Sequence, residues 1–327
     1  PVMTGVLEPN LKLRQAKRLY EGELVGPESL ANIGVCVNVL KKGILIGKAV
    51  FHISSTGFRE HEHTCGRPLG LRVGPNGTLY VSDAYQGIFE VNPVTGRGAV
   101  AMLVSSKVPV EGKIMSFVND LTVTSDGRKI YFTDSSSKWQ RRDYPYLIME
   151  GTDDGRLLEY DTVTKVVKVL MGGLRFANGV QLSPAEDFVL VAETTMARIR
   201  RYYVSGLTKG GADMFVENMP GFPDNIRLSS SGGYWVAMSA VRLNPGFSMI
   251  DFLSDKPWIR RNVFKVMMQF VPRYSLVVEI GEKGSYKRSF HDPNGEVATF
   301  ISEAHEHDGY LYMGSFRSPF ICRLNLK

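Results

Sequence analysis

Cysteine is scarce, with three residues in a chain of 327, at Cys36, Cys65 and Cys322. An odd count leaves at least one free thiol, and three cysteines make no disulfide scaffold. A Cys36–Cys65 bridge is one pairing the sequence permits, but geometry rather than spacing decides disulfides. Cys322 sits in the apolar run Phe320–Leu324 and reads as a buried structural thiol. Histidine is also sparse, at six. Four of the six form the pairs His61-Glu62-His63 and His305-Glu306-His307. Alternate residues of a strand share a face, which would suit zinc, but no third ligand accompanies either pair. They read as exposed or hydrogen-bonded histidines.

No stretch of about 18 consecutive apolar residues occurs, so no transmembrane helix is expected within 1–327. No signal peptide is visible at Pro1; a sequence that opens on proline looks like a fragment whose targeting segment lies elsewhere. Charge of one sign is not concentrated either. The 39 Lys and Arg against 33 Asp and Glu leave a net charge of +6, spread along the chain as on an ordinary solvated surface. That excludes a nucleic-acid reader on compositional grounds and leaves contact with an acidic membrane surface open.

What is present is an ordinary globular composition, 43% hydrophobic and 22% charged, with a pattern that repeats. The runs Phe117-Val118-Asn119-Asp120-Leu121, Phe176-Ala177-Asn178-Gly179-Val180 and Phe222-Pro223-Asp224-Asn225-Ile226 each begin a strand–turn–strand unit. Related units stand at Gly66–Asp83 and, clipped, at His307–Gly314, and another begins at Gly26-Pro27-Glu28-Ser29. The turns carry Asn76-Gly77, Asp126-Gly127 and Asp308-Gly309, pairs that tolerate the positive φ of tight hairpins. Further strand-like runs, such as Gly155–Asp161 and Lys165–Leu170, fall between the hairpins. A hairpin with two outer strands is one blade of a β-propeller. The expectation is therefore an all-β, six-bladed β-propeller with four-stranded blades, forming a single domain over 1–327. Its amino-terminal strand near Leu13–Tyr20 would close the ring against the last blade. One stretch departs from the strand pattern. Ser248–Met268 spaces its apolar residues as a helix does, with Arg260, Arg261 and Lys265 among them. It predicts a helical insertion packed over the propeller, with a lid or a membrane-surface helix as the functional alternative.

The Glu28, Asn119, Asn178 and Asp224-Asn225 runs, with Gly151–Tyr160 and Ser315–Phe320, resemble the strictosidine-synthase-like propellers and their calcium-dependent hydrolase relatives, the paraoxonases. The resemblance covers nearly the whole chain and is weakest over Val35–Thr64. It implies a calcium ion near the central channel and an arylesterase-like activity. It also implies a glycosylated ectodomain on the extracellular or lumenal side of a membrane, held by a single N-terminal anchor outside this sequence. Asn76-Gly77-Thr78 is the one Asn-x-Ser/Thr sequon with x not proline and marks Asn76 for glycosylation. In paraoxonases one histidine of a pair thought to serve as base falls near the start of the second blade. Here Arg67-Pro68-Leu69 stand at that place, which sets a paraoxonase-type dyad in doubt.

The residue chemistry agrees with a hard cation. Asn119, Asn178 and Asp224 hold the same place at the start of an innermost strand, so three blades present side-chain oxygens to the axis. Glu28 adds a second carboxylate, and Asn225 is an outer ligand or orients Asp224. Such a set, all oxygen with neither sulfur nor imidazole, suits calcium. Taken singly, each Asn or Asp would read as a turn-capping residue. Strictosidine synthases place their catalytic glutamate in a motif similar to Glu306-His307-Asp308-Gly309, which makes Glu306 the candidate acid/base; its alternative is a channel-lining acceptor. Three functions follow. The first is calcium-dependent hydrolysis of a small-molecule aryl ester or lactone. The second is a non-enzymatic cell-surface binding module with a structural calcium. The third is a strictosidine-synthase-like amine–aldehyde condensation.

Overall fold

The computed structural model describes residues 3–22, 24, 26–32, 42–46, 49–54, 57–63, 66–91, 100–242 and 273–327, over 42–63 as backbone pairing. Strand pairing sorts these residues into six antiparallel four-stranded sheets. Five are blades with packed side chains. The first runs Pro68–Val73, Leu79–Asp83, Gly87–Val91 and Val100–Ser105. The second comprises Val118–Val123, Lys129–Asp134, Gly155–Asp161 and Val167–Leu174. The third comprises Ala177–Leu182, Phe188–Glu193, Arg198–Tyr203 and Ala212–Val216. The fourth comprises Gly221–Leu228, Tyr234–Val241, Ser275–Ile280 and Tyr286–Asp292. The fifth takes Ile301–His307, Tyr310–Ser315 and Ile321–Asn325 from the carboxyl end and Lys17–Leu19 from the amino end.

The expectation of a six-bladed propeller is corrected on this point. Five four-stranded blades have described side chains. The remaining sheet, Leu30–Asn32, Lys42–Ile46, Ala49–Ser54 and Gly57–His63, is established by its backbone ladders. Its innermost strand is described over Leu30–Asn32. The helical insertion expected at 248–268, and Cys36 and Cys65, lie outside the described residues. A different helix, Tyr144–Glu150, interrupts the second blade. It starts with Pro145 in its first turn, where a missing N–H costs nothing, and ends at Gly151 with φ +64°.

The core lies between blades. Ile130, Phe132 and Leu158 of the second blade pack on Ile88 and Val104 of the first. Leu190, Ile199, Val236 and Val278 join the third blade to the fourth, and Trp235, Val277, Ala304 and Met313 join the fourth to the fifth. Leu30 packs with Tyr312 and Ile321, and Ala31 with Leu71 and Val81, so the remaining sheet bridges the fifth blade and the first. Sheet packing face to face makes each apolar strand face pay twice, once per neighbour, which explains continuous runs such as Phe188–Glu193. The ring closes as the sequence predicts: Lys17 pairs with Arg323 and Leu19 with Ile321. Cys322, on that strand, is a buried free thiol, its pKa pushed up to about 12 by burial.

One irregularity recurs in the innermost strand of every blade with described side chains. The pairing register slips between Pro68 and Leu71, Val118 and Leu121, Ala177 and Val180, Pro223 and Ile226, and Ile301 and Glu303. A bulge breaks the strict alternation of side chains and re-aims the residues within it. It is the device that turns Asn119, Asp120, Asn178, Asp224 and Asn225 together toward the axis.

Candidate functional site

The bulges converge on the channel, and their side chains fall into two layers. The layer at the mouth holds Glu28, Asn119, Asn178, Asp224 and Asn225, all buried. Two of the asparagines are set by the same relay. Ser135 Oγ donates to Ala177 O (2.6 Å) and accepts from Asn119 Nδ2 (2.9 Å). Thr194 Oγ1 donates to Pro223 O (2.8 Å) and accepts from Asn178 Nδ2 (3.0 Å). Because each hydroxyl proton is spent on the next blade's carbonyl, the amide must offer its N–H there, and the opposite amide edge carries Oδ1. Gly179 makes the crowding possible: a Cβ there would lie 2.3 Å from Asp224 O and 2.6 Å from the Asn225 Cα.

The oxygens so arranged lack donors. Glu28 Oε2, Asn178 Oδ1 and Asn225 Oδ1 are buried with no hydrogen-bond partner, and Glu303 Oε1 joins them. Unsatisfied buried acceptors are costly and rare; several in one place point to a missing positive charge. Asp224 reports the same imbalance. Burial, then the nearby Glu28 and Glu303, hold its carboxyl well above the usual range, against a hydrogen bond from Asn178 and the charge of Arg141. Arg67 lies 3.5 Å from Glu28 Oε2, so the arginine found where the paraoxonase histidine would fall sits at the mouth. Among the described residues no three His, Cys, Asp or Glu side chains form a metal cluster. A cation here would draw on amide as well as carboxylate oxygens. Calcium accepts such a mixed set.

The deeper layer pairs its acids with arginines. Arg227 spans the channel, donating from Nη1 to Asp120 Oδ2 (2.9 Å) and from Nη2 to Ser29 Oγ (3.0 Å) and Glu303 Oε2. Arg72 adds a 3.3 Å bond to Asp120 Oδ2 and reaches Val180 O at 3.1 Å. Ser29 Oγ and Asn225 Nδ2 both donate to Glu303 Oε2, at 2.8 and 3.2 Å. Asp120 is buried, yet Arg227 and Arg72 overcome that and hold its pKa below the usual range. At Glu303 burial wins and raises the pKa despite the same two arginines. None of Asp120, Arg227, Arg72 and Glu303 was read as a site residue from the sequence. For Asp120 and Arg227 the available signal was their place next to Asn119 and just after Asn225; Arg72 and Glu303 carried none.

The structure brings together Glu28, Asn178, Asp224 and Asn225, with Asn119 held in the equivalent orientation, and separates Glu306 from them. Glu306 and Glu303 lie three residues apart on one strand, about 10 Å along it and on opposite faces. The Glu306 carboxylate accepts from Trp235 Nε1 (2.7 Å), Ser230 N (3.2 Å) and Ser230 Oγ. Burial would raise its pKa, but these donors outweigh it and hold Glu306 below the usual range. His307 pairs with Asp308 at 3.0 Å. Asn76 falls in the turn Pro75–Gly77 between two strands of the first blade, as the hairpin reading expects.

A roof covers one side of the mouth. Leu147 of the Tyr144–Glu150 helix packs with Leu69, Phe117 and Phe176, residues at the entrances of three innermost strands. Trp139 stacks on Tyr146 at 5.3 Å, and Arg141, from the same segment, is the arginine felt by Asp224. Polar oxygens at the bottom of an aromatic-walled mouth suit a small molecule with a polarisable carbonyl.

Fold and channel together define a β-propeller of the strictosidine synthase kind, and the Strictosidine synthase family model matches residues 119–207, the segment carrying Asn119 and Asn178. The chain belongs to the adipocyte plasma membrane-associated protein family. It is 67% identical to the rat protein of that name over 344 residues, covering 100% of this chain and 90% of the relative. Among solved structures, a gluconolactonase from Xanthomonas campestris matches with a TM-score of 0.64 at 16% identity, over 97% of this chain and 91% of that one. Regucalcin from Agrobacterium tumefaciens, described as a calcium-binding protein, matches with a TM-score of 0.63 at 11% identity, over 94% of this chain and 92% of that one. At those identities the likeness is one of fold. Among the described residues, no helix is long and apolar enough to cross a membrane.

Proposed function

We propose that this propeller is a calcium-dependent hydrolase of small aryl esters or lactones, working at the channel mouth. The observation that carries the reading is the group of buried oxygens without donors, Glu28 Oε2, Asn178 Oδ1 and Asn225 Oδ1, around an Asp224 whose ionisation is opposed by burial and by its acidic neighbours. Glu28, Asn119, Asn178, Asp224 and Asn225 would hold the ion, and the fold-level likeness to a lactonase and to a calcium-binding propeller supports the choice of class. A bound calcium supplies Lewis-acid polarisation of a carbonyl oxygen. The protein's own residues do the rest. The aromatic roof around Phe117, Phe176 and Trp139 excludes water and holds an aryl or alkyl body. Arg141 and Arg67 bring positive charge to the mouth. Between the two glutamates of the fifth blade's inner strand, Glu303 suits proton transfer better than Glu306. Its pKa is raised and its Oε1 is uncommitted, whereas the Glu306 carboxylate is held ionised by three donors.

Turnover of phenyl acetate and of an aromatic lactone by wild type, Asp224→Ala, Glu303→Gln and Glu306→Gln, in calcium and in chelator, tests the reading. Activity that chelator and Asp224→Ala abolish, that Glu303→Gln reduces about 100-fold and that Glu306→Gln spares is expected. A wild type inert toward every ester and lactone, whose melting temperature nevertheless falls in chelator, would instead favour a binding module with a structural ion. That second reading is favoured by Arg67 standing where a paraoxonase base would be. Condensation of an amine with an aldehyde, the reaction of strictosidine synthases, is the third reading and is ruled out by absence of adduct. The relatives' name supports placement at the plasma membrane. We further place the propeller on the extracellular or lumenal side of a single-pass anchor, with Asn76 glycosylated; a mobility shift on glycosidase treatment, lost in Asn76→Gln, tests both.

A further inference from the structure

Away from the channel oxygens, the loops of the fifth blade enclose a groove of about 290 Å³ lined by Arg18, Arg273, Arg317, Phe300, Thr299 and Phe320, among others. Its three guanidinium groups are not alike. Arg18 is committed: it donates to Val297 O (3.1 Å), Glu296 O (2.7 Å) and Glu21 (2.9 Å) and stacks over Phe320 at 4.3 Å. Arg317 lies over the Phe300 ring at 4.5 Å. Neither Arg317 nor the exposed Arg273 has a carboxylate partner among the described residues. Arg201, by contrast, is matched with Asp213 at 2.6 Å.

The backbone beneath this pair is strained. Phe300 has φ +52°, in the left-handed region that a bulky aromatic residue rarely adopts. Phe176, immediately before the third blade's inner strand, has φ +59°, and Phe300 holds the same place before the fifth. Phe176 lies under the roof of the mouth, so Phe300 lies on that same face of the propeller. Strain of this kind persists where the surroundings over-determine it, and it gathers at ligand-holding sites. The turn carrying Arg317 is anchored next to the channel site, because Ser315 N donates to Pro27 O (2.7 Å), one residue from Glu28.

We infer that Arg273 and Arg317 form a binding site for a phosphate group carried on an apolar or aromatic body. Two planar guanidiniums, unmatched among the described residues, suit the several oxygens of a phosphate. The Phe300 and Phe320 rings and Val297 offer an apolar floor for the attached group. A volume of this order holds one small molecule or one lipid headgroup, not a folded partner. The site stands apart from the channel oxygens and does not depend on the hydrolase reading.

Calorimetric titration with phenyl phosphate at low salt tests it. Saturable binding is expected, weakened about tenfold in Arg273→Gln and in Arg317→Gln and lost in the double variant. It should persist in Arg201→Gln. Equal melting temperatures for wild type and variants separate lost binding from lost fold, and Arg317→Lys should recover part of the affinity. Sedimentation with phosphatidylcholine vesicles, with and without phosphatidic acid, identifies the source. Retention that needs both phosphatidic acid and the two arginines points to a lipid headgroup. Phenyl phosphate binding without vesicle retention points to a soluble ester, and both support the inference. No saturable binding of either probe by wild type, or undiminished binding by the double variant, overturns it.

Discussion

The two layers of the channel are built from the same strands by the same bulges, yet they balance charge in opposite ways. The deep layer sets Asp120 and Glu303 against Arg72 and Arg227. The mouth layer gathers Glu28, Asp224 and amide oxygens with Arg67 and Arg141 at its edge. A buried charge needs a partner. The deep layer supplies its own and serves as a pin across the ring, whereas the mouth layer is where we propose that a bound cation completes the balance.

Arg227→Met should break the contrast with the largest effect. It strips two buried carboxylates of their shared cation and should cost about 3–5 kcal/mol of unfolding free energy, read by urea denaturation. A loss under 1 kcal/mol would mean the deep layer is no pin. A control comes from His291, buried in the outer strand of the fourth blade between Tyr274 OH (2.7 Å) and Ser289 Oγ (2.8 Å). Burial lowers its pKa to about 4. A depressed histidine contributes stability that is complete above its unfolded value, about 6.5. That stability drains as pH falls toward 4, by up to about 3 kcal/mol. His291→Gln should flatten that slope relative to wild type.

Calcium should stabilise the mouth layer by about 2.7 kcal/mol at a hundredfold excess over its dissociation constant, read as a rise in melting temperature that Asp224→Ala abolishes. The smallest effect sharpens the comparison most. Asp224 has a raised folded pKa, so its contribution is complete at low pH and is lost as pH rises through that pKa. Asp224→Asn should therefore stabilise the calcium-free protein at pH 8, by about 1 kcal/mol, while removing its response to calcium. A substitution that stabilises in one layer, set beside one that destabilises in the other, is what the two charge balances require.

The propeller was legible because its hairpins repeat local chemistry: Asp308 and Gly309, with φ of +49° and +75°, adopt the turn their types favour. The clustering of the mouth residues was legible for the same reason, since Asn119 and Asn178 recur at one place in the repeat. The deep layer was not, because its meaning lies in pairing across blades. Arg227 and Asp120 are 107 residues apart, and neither sits at the marked position. Glu306 drew the acid/base assignment through its motif. The bulge between Ile301 and Glu303 turns Glu303 toward Arg227 in the channel, a direction its sequence position does not show. Bulges leave no fixed mark in sequence, so strand existence was readable and side-chain direction within the strand was not.

The pairing of Lys17–Leu19 with Ile321–Arg323 gives the chain a timetable. The strand that leaves the ribosome early waits for its partner, so the circle cannot shut until Ile321–Asn325 has been synthesised. Until then the apolar edges at Leu30 and Tyr312 remain open to the solvent and to other chains. A shortened product missing its final strand would lose more than that strand; it would be a ring without a fastening.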